Sequence, residues 1–322
     1  MLKAKSPELK TRFRRQLLAW YDREARDLPW RKDRDPYRVW VSEIMLQQTR
    51  VAAVIEHYHA FLKKFSTVEK LAAAREASVL AAWSGLGYYR RARMMHRAAK
   101  EIARKNGGQF PATAEAWREL PGIGRYTAAA IASIAFGEAV AVVDGNVERV
   151  LSRFTGKNLE LAEVWPLAEE LLDRERPGDF NQAMMELGAT RCQPRQPKCL
   201  MCPVSGNCRT RGELPAFEQT KPQQKREIHY GLDLRDDAVV LVERAKSESL
   251  MPGMWELPRI EGGAVDASWL RLKHSITVTD YTVRVKQGPI RAGAGKRIAR
   301  ERILSLPLTG LTRKILKRAG VI

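Results

Sequence analysis

Cysteine is scarce in this 322-residue chain, and long apolar runs are missing. Its only four cysteines lie between Cys192 and Cys208. No stretch reaches the uninterrupted apolar length that a membrane span needs. The segment Met1 to Lys10 is charged and has no apolar signal core, so we expect the protein not to be secreted. In such a protein, four tightly clustered cysteines indicate a metal or cluster site more than two disulfides.

Acidic residues are also in the minority. The chain has 37 Asp and Glu against 56 Lys and Arg, which gives a formal charge of +19. An excess of this size indicates a polyanionic partner, either a nucleic acid or an anionic membrane surface. The alternative is a solvated basic surface, and charge alone does not separate DNA from RNA. Hydrophobic residues make up 44% of the chain, enough for cores in two or three domains.

Helical spacing dominates the chain from about Glu8 to Arg211. Leu-, Ala- and Arg-rich segments are separated by short Gly or Pro breaks, and we predict single helices over segments such as Pro36–Thr49 and Glu69–Ser84. A polar stretch, 213–228, follows and predicts a linker. Beyond it the chain predicts a separate α+β module with strands at Ile228–Leu234, Ala238–Glu243 and Ile276–Val285 and a final helix at Leu311–Arg318.

The cysteines are spaced Cys192-x6-Cys199-x2-Cys202-x5-Cys208. Four thiolates in one short loop can enclose a single metal centre. Zinc takes four ligands in a tetrahedron, and an iron–sulfur cube takes one thiolate for each iron. The spacing alone leaves both open.

A second motif, Leu120–Tyr126, joins two predicted helices through Pro121, Gly122 and Gly124. A tight turn before a helix presents backbone N–H groups, which attract phosphate. Downstream, Asp144 precedes a predicted helix, where a carboxylate can cap the first turn.

These motifs together resemble the helix–hairpin–helix superfamily of endonuclease III and MutY. The resemblance rests on the turn, on Val143-Asp144-Gly145-Asn146-Val147 and on the cysteine spacing. It implies a mainly α, two-lobed helical glycosylase domain over 1–212, with the helix–hairpin–helix at about 115–135. It also implies one [4Fe–4S] cluster, and not zinc, on the loop 192–208 with Cys192, Cys199, Cys202 and Cys208 as ligands.

Three further segments resemble the MutY-type adenine DNA glycosylases: Leu28–Arg31, Val41–Thr49 and Gly85–Arg93. The resemblance implies excision of adenine mispaired with 8-oxoguanine or guanine in duplex DNA. Glu43 would be the general acid that protonates the leaving base. Asp144 would stabilise the oxocarbenium-like sugar, with Tyr126 and Asn146 assisting.

Position 126 separates the subclasses of this superfamily. Bifunctional members have a lysine there, which forms a Schiff base with the sugar. Tyr126 cannot do so, which predicts a monofunctional glycosylase that uses water.

A glycosylase must extrude its nucleotide from the duplex. Gln48 and Tyr88 are predicted to wedge into the base stack. The expected contacts to DNA or substrate are completed by Arg31, Gly122, Gly124 and Arg125.

The C-terminal module, 229–322, resembles the Nudix-like domain of MutY. Gly231–Pro258 supports the resemblance but lacks the acidic box of a Nudix hydrolase, so no hydrolase activity is expected. The family loop that reads oxidised guanine corresponds to Ile276-Thr277-Val278. Thr277 keeps a hydroxyl there, but the family's histidine is missing.

Two alternatives remain open. The chain could be another helix–hairpin–helix glycosylase, of the mismatch thymine or endonuclease III type, or an iron–sulfur DNA-binding module without catalysis. Tyr126 argues against a lyase, and the joint presence of Glu43 and Asp144 argues against an inactive protein. We expect a cytoplasmic, nucleoid-associated monomer that binds duplex DNA and no membrane.

Overall fold

The computed structural model describes residues 6–105, 107–214, 224–248, 250–261, 270–276, 279–291 and 293–322. The chain divides into two compact units. The first draws on Met1–Tyr58, Phe65–Ala72 and Arg97–Phe217, and the second on His59–Lys64, Ala73–His96 and Glu218–Ile322. The expected domain, linker and module boundaries remain predictions.

Helices dominate the chain as far as the cysteine loop. Polar N-caps start several of them, and Ser6, Asp35, Thr113 and Asp144 each accept a backbone N–H of the first turn. The helices are α1 (Pro7–Glu24), α2 (Pro36–Leu46), α3 (Val51–Lys64), α4 (Val68–Ala73), α5 (Glu76–Ala82), α6 (Arg90–Lys105), α7 (Ala114–Arg118), α8 (Arg125–Phe136), α9 (Gly145–Thr155), α10 (Leu161–Leu171) and α11 (Pro177–Thr190).

Two of the predicted helices were wrong in extent. The segment Glu69–Ser84 forms two helices, because Arg75 adopts an extended backbone and caps α5. The segment Pro36–Thr49 is helical only to Leu46, since Gln47 leaves the helical region. In the described part of the chain, no helix has the length and apolar character to span a bilayer.

One core of the first unit is formed by α1, α9, α10 and α11. It centres on Phe13, Leu17, Leu151 and Phe180, all at most 2% exposed. The ring of Phe13 lies edge-on to Phe154 at 4.8 Å. Aromatic burial of this kind stabilises a helical core strongly, and here it anchors α9, the helix that Asp144 caps.

Helix α11 approaches its neighbours closely through two glycines. A Cβ at Gly178 would lie 2.6 Å from the carbonyl oxygen of Ser133 in α8, and one at Gly188 would lie 2.5 Å from Cβ of Asn146 in α9. Buried Asn181 joins α11 to α8 and to the segment that leads to α9: its amide donates to Ser133 Oγ and to the Val140 carbonyl, both at 2.9 Å. The placement of α8 and α9 therefore depends on α11.

The described C-terminal residues of the second unit form two sheets and two helices. Strands β1 (Gln224–Leu232) and β5 (Leu270–Ile276) flank β6 (Thr279–Gln287), with β1 parallel and β5 antiparallel to it. A second sheet combines β2 (Leu234–Arg235), β3 (Ala238–Glu243), β4 (Trp255–Glu256) and β7 (Lys296–Ala299). The chain ends with α12 (Arg300–Ile303) and α13 (Gly310–Arg318).

The predicted C-terminal elements were largely confirmed. Strand Ala238–Glu243 and the final helix lie where they were expected. The single strand predicted at Ile276–Val285 was wrong, because β5 ends at Ile276 and β6 begins at Thr279 as its antiparallel partner. Apolar side chains of both sheets pack on α13 in one core that includes Tyr230, Leu241, Val283 and Ile315.

Candidate active site

A cavity of about 560 Å³ opens within the first unit. Its walls come from the α2 region, the N-termini of α8 and α9, and one face of α11. Glu43, Tyr126, Asp144 and Asn146, which are distant in sequence, all line it. The sequence-predicted catalytic residues therefore share one cleft, together with Arg31 and Gln48.

Glu43 lies on α2 among apolar residues and is only 5% exposed. Its Oε2 accepts a hydrogen bond of 2.8 Å from the hydroxyl of Tyr126. Burial raises the pKa of Glu43 to about 7, because water no longer solvates the charged form. The hydrogen bond from Tyr126 opposes this rise, and the charge of Asp144 adds to it. A carboxyl group in this range can hold a proton near neutral pH and release it.

Tyr126 stands in the first turn of α8, between two acceptors. Its hydroxyl also lies 3.4 Å from the sulfur of Met185 on α11. Burial, followed by the charge of Glu43, raises the pKa of Tyr126 well above its usual value. The phenol therefore keeps its proton and acts as a hydrogen-bond donor.

Asp144 caps α9, as expected from the sequence. Its Oδ1 accepts the backbone N–H groups of Asn146 (2.9 Å) and Val147 (2.8 Å), and its Oδ2 accepts the side-chain amide of Asn146 at 2.8 Å. Each oxygen is thus held in a fixed direction at a helix N-terminus, where peptide dipoles favour negative charge. The arrangement places a rigid carboxylate on the cavity wall. Among the described lining residues, the other carboxyl groups are those of Glu43 and Glu186.

A second buried carboxyl lines the cavity from α11. Glu186 is fully buried and accepts hydrogen bonds from Arg26 (2.7 and 2.8 Å) and Arg31 (2.9 Å). Burial by itself would raise the pKa of Glu186, but the two guanidinium groups outweigh it and lower the pKa. Arg31 also stacks 5.4 Å from the ring centre of Tyr21. The guanidinium of Arg31 is therefore engaged inside the protein.

Arg149 on α9 connects the candidate catalytic residues to the cysteine loop. Its guanidinium donates to Asn146 Oδ1, to the Gly188 carbonyl and to the Cys192 carbonyl, each at 2.8 Å. Asn146, which donates to Asp144, is thus held by Arg149, and Arg149 is bonded to the cysteine loop and to α11.

The four cysteines line one small cavity beside Arg153 and Arg191. None forms a disulfide. Arg153 donates to the carbonyls of Gln193 (2.6 Å) and Pro194 (2.7 Å), which fixes the start of the loop. Among the residues that the structure describes, no three His, Cys, Asp or Glu side chains are placed to share a single metal ion.

The two predicted wedge residues share a backbone property. Gln48 (φ 55°) and Tyr88 (φ 48°) both adopt the left-handed conformation, which non-glycine residues rarely take. Both side chains are exposed. Strained backbone of this kind concentrates at functional sites.

The helix–hairpin–helix turn lies between α7 and α8. Gly122 has a φ of 78° and is exposed, and Gly124 caps α8. The guanidinium carbon of Arg125 lies 3.7 Å from the ring centre of Trp165 on α10. Thr277, the expected reader of oxidised guanine, lies outside the described residues.

Several cavity residues were not predicted from the sequence. Arg26, Gln182, Met185 and Glu186 line the site. The only signal in the sequence was the helical spacing of Gln182, Met185 and Glu186, which places them on one face of α11.

Comparisons with known proteins agree with this geometry. Residues 41–163 match the model of the HhH-GPD superfamily of base excision DNA repair proteins. This region includes Glu43, the turn and Asp144. A solved structure described as a thermostable thymine-DNA glycosylase superposes with a TM-score of 0.60 at 32% identity, over 63% of this chain and 97% of that one.

Similar proteins with curated names identify the family within this superfamily. The human adenine DNA glycosylase is 51% identical over 216 residues, which cover 62% of this chain and 40% of the relative. The adenine DNA glycosylase of Schizosaccharomyces pombe is 34% identical over 80% of this chain and 71% of its own. The chain belongs to the MutY-type adenine DNA glycosylase family within this superfamily. It spans less than half the length of the human relative.

Proposed function

We propose that this protein is a monofunctional adenine DNA glycosylase. It hydrolyses the N-glycosidic bond of adenine mispaired with 8-oxoguanine or guanine in duplex DNA, acting as a monomer on the DNA of the nucleoid. The observation that carries the proposal is the pairing of Glu43, a buried carboxyl group with a pKa near 7, with Asp144 in one cavity.

Glu43 is the general acid in this scheme. Adenine leaves poorly as an anion, and protonation of a ring nitrogen lets it depart as a neutral base. Glu43 enters the reaction protonated and gives its proton to the purine. Tyr126 donates to the resulting carboxylate and so stabilises it. The carboxylate then takes a proton from the attacking water, which restores the acid.

Asp144 acts on the sugar. Cleavage of the glycosidic bond leaves positive charge on C1′ and the ring oxygen, and a fixed carboxylate stabilises this charge. Its oxygens are already oriented by Asn146 and Val147, so little reorganisation accompanies the reaction. Overall, water supplies hydroxide to C1′, and its proton replaces the one that Glu43 gave to adenine, which balances the hydrolysis. No amine at position 126 is available to form a Schiff base.

The cysteine loop fits one [4Fe–4S] cluster with Cys192, Cys199, Cys202 and Cys208 as ligands. All four cysteines line one cavity. A cube takes one thiolate for each of its four irons, which matches this set of donors. The bound cluster would cross-link the loop and take no part in the hydrolysis.

The expected Nudix-like domain and the DNA contacts complete the proposal. The C-terminal strands and α13 would form the Nudix-like domain, and Thr277 is the proposed reader of the oxidised guanine. Gln48 and Tyr88 would enter the base stack, and the turn from Gly122 to Arg125 would hold a phosphate. The net charge of +19 suits a long polyanion.

A single-turnover assay tests the proposed function. Four duplexes would carry adenine opposite 8-oxoguanine, guanine or cytosine, or thymine opposite guanine. We expect adenine release from the first two, with strand cleavage only after alkali. Release of thymine alone would favour a mismatch thymine glycosylase, and tight binding without release of any base would favour the non-catalytic module. Purified protein should be brown with four irons per chain, and stoichiometric zinc without iron would contradict the cluster.

A further inference from the structure

The turn that presents Tyr88 has a concentrated run of left-handed backbone. Gly85, Gly87 and Tyr88 have φ values of 112°, 70° and 48°. Glycine adopts such values freely, but a tyrosine is strained there by its Cβ. Tyr88 is nevertheless 51% exposed, so burial in a core does not hold its side chain in place. Other residues of the turn must therefore stabilise this conformation.

Arg91 supplies contacts on the protein side of the turn. Its Nη2 donates to the carbonyls of Leu86 (3.3 Å) and Gly87 (3.4 Å). Its guanidinium carbon lies 5.5 Å from the ring centre of Tyr88 and 5.5 Å from that of Trp83. One guanidinium group thus contacts both the ring of Tyr88 and the two peptides that precede it.

Trp83 completes the support. Its indole is fully buried and donates to the Gly87 carbonyl at 3.2 Å. Because the guanidinium of Arg91 is surrounded by these groups, burial lowers its pKa, but only to about 10. Arg91 therefore remains charged at neutral pH and keeps its attraction for both aromatic faces.

We propose that Arg91 is a positioning residue, which holds Tyr88 preformed as the wedge that fills the base stack. This inference rests on the proposed function, in which Tyr88 enters the duplex. Arg91 itself touches no substrate. A preformed ring needs no reordering when the adenine leaves the stack. Arg91 should therefore speed the extrusion of the nucleotide and leave the rate of the chemical step unchanged. A lysine cannot replace the guanidinium, because it lacks the planar fork that bonds two carbonyls while it stacks on a ring.

Two substrates separate positioning from a general loss of structure. The first is a fully paired duplex with one adenine opposite 8-oxoguanine. The second carries the same mispair flanked on both sides by unpaired nucleotides, so that the adenine is already unstacked. Arg91→Lys and Arg91→Met should lower the single-turnover rate on the first duplex about tenfold. On the looped duplex, both variants should stay within about twofold of the parent.

The matched control is Arg93→Met. Arg93 lies on the same helix, and its guanidinium bonds to Glu76 and to the Pro252 carbonyl. This variant should lose activity on both duplexes by the same factor, or on neither. An equal loss on both duplexes for Arg91→Met would overturn the inference, as would full activity on both. If the parent protein releases no adenine from either duplex, the proposed function fails instead.

A double-variant cycle with Tyr88 provides the second measurement. In the Tyr88→Ala background, Arg91→Met should change the rate on the paired duplex by less than twofold, because the ring that it positions is gone. A full tenfold loss in that background would show that Arg91 acts independently of Tyr88 and would overturn the inference. A 2-aminopurine placed next to the adenine should report slower unstacking in Arg91→Met, while duplex affinity changes little.

Discussion

Two carboxyl groups, Glu43 on α2 and Glu186 on α11, line the same cavity and have opposite electrostatic environments. Both are almost completely inaccessible to solvent. Glu43 has a phenol as its hydrogen-bond partner, and burial raises its pKa to about 7. Glu186 has two guanidinium partners, which lower its pKa despite burial. Burial raises the pKa of both carboxyl groups, and the net direction depends on whether charged partners such as Arg26 and Arg31 outweigh it.

The largest expected effect comes from removing the acid of this pair. Glu43→Gln cannot donate a carboxyl proton, so single-turnover release of adenine should fall by about 10³-fold. Duplex affinity, measured by fluorescence anisotropy, should stay within about threefold, since the amide keeps the shape of the side chain. Retention of full activity would remove Glu43 as the general acid.

The second effect concerns stability. Glu186→Gln leaves the guanidinium groups of Arg26 and Arg31 without their anion, and we expect a loss of about 3 kcal/mol in the free energy of unfolding. Urea denaturation at pH 7 measures it. Glu43→Gln is the matched control, because it changes the same atoms in the same cavity without breaking an ion pair. Equal stability of the two variants would contradict the contrast between the two groups.

The pH dependence of stability should have opposite signs for the two carboxyl groups. The pKa of Glu43 is raised on folding, so its contribution to stability is fully present below about 4.5 and is lost as pH rises through about 7. Glu43→Gln should therefore stabilise the protein by about 3 kcal/mol at pH 8 relative to pH 4.5.

The pKa of Glu186 is lowered on folding, so its contribution is present above about 4.5 and is lost as pH falls. The penalty of Glu186→Gln should accordingly shrink in acid. Unfolding curves of the parent and both variants across pH 4 to 8 test both signs. Parallel curves for the two variants would show that the environments do not differ.

The smallest effect should follow from Tyr126→Phe. The hydrogen bond from Tyr126 favours the ionised form of Glu43, so its loss should raise the pKa of Glu43 further. The alkaline limb of the pH–rate profile should move to higher pH, with less than about a tenfold change in rate at pH 7. A shift toward lower pH would mean that the phenol stabilises the protonated carboxyl group instead.

The sequence predicted the half of the site that depends on local motifs. Asp144 was expected as a helix cap, and Glu43 was singled out because Val41–Thr49 resembles the MutY-type glycosylases. Both expectations rest on short segments of sequence. The partners of Glu186 could not be found in this way, because Arg26 and Arg31 are 160 and 155 positions away in the chain. Nothing local to α11 indicates which of its polar residues face an arginine.

The same limit applies to the fold. Helical spacing located most helices, but it continued through Arg75, where the backbone alone breaks α4 from α5. Alternating residues from Ile276 to Val285 suggested one strand, although the chain reverses between β5 and β6. Chain reversals are set by backbone geometry and strand pairing, which a hydrophobic pattern does not encode.

Gly188 imposes a limit on the variation that this site can accept. A Cβ atom added at Gly188 would lie only 2.5 Å from Cβ of Asn146. Alanine, a favourable helix residue, would have to displace the N-terminus of α9 and with it both oxygens of Asp144. Gly188→Ala, which looks benign in a sequence comparison, would thus abolish activity by a change on α11. Every residue that contacts the nucleotide would stay the same.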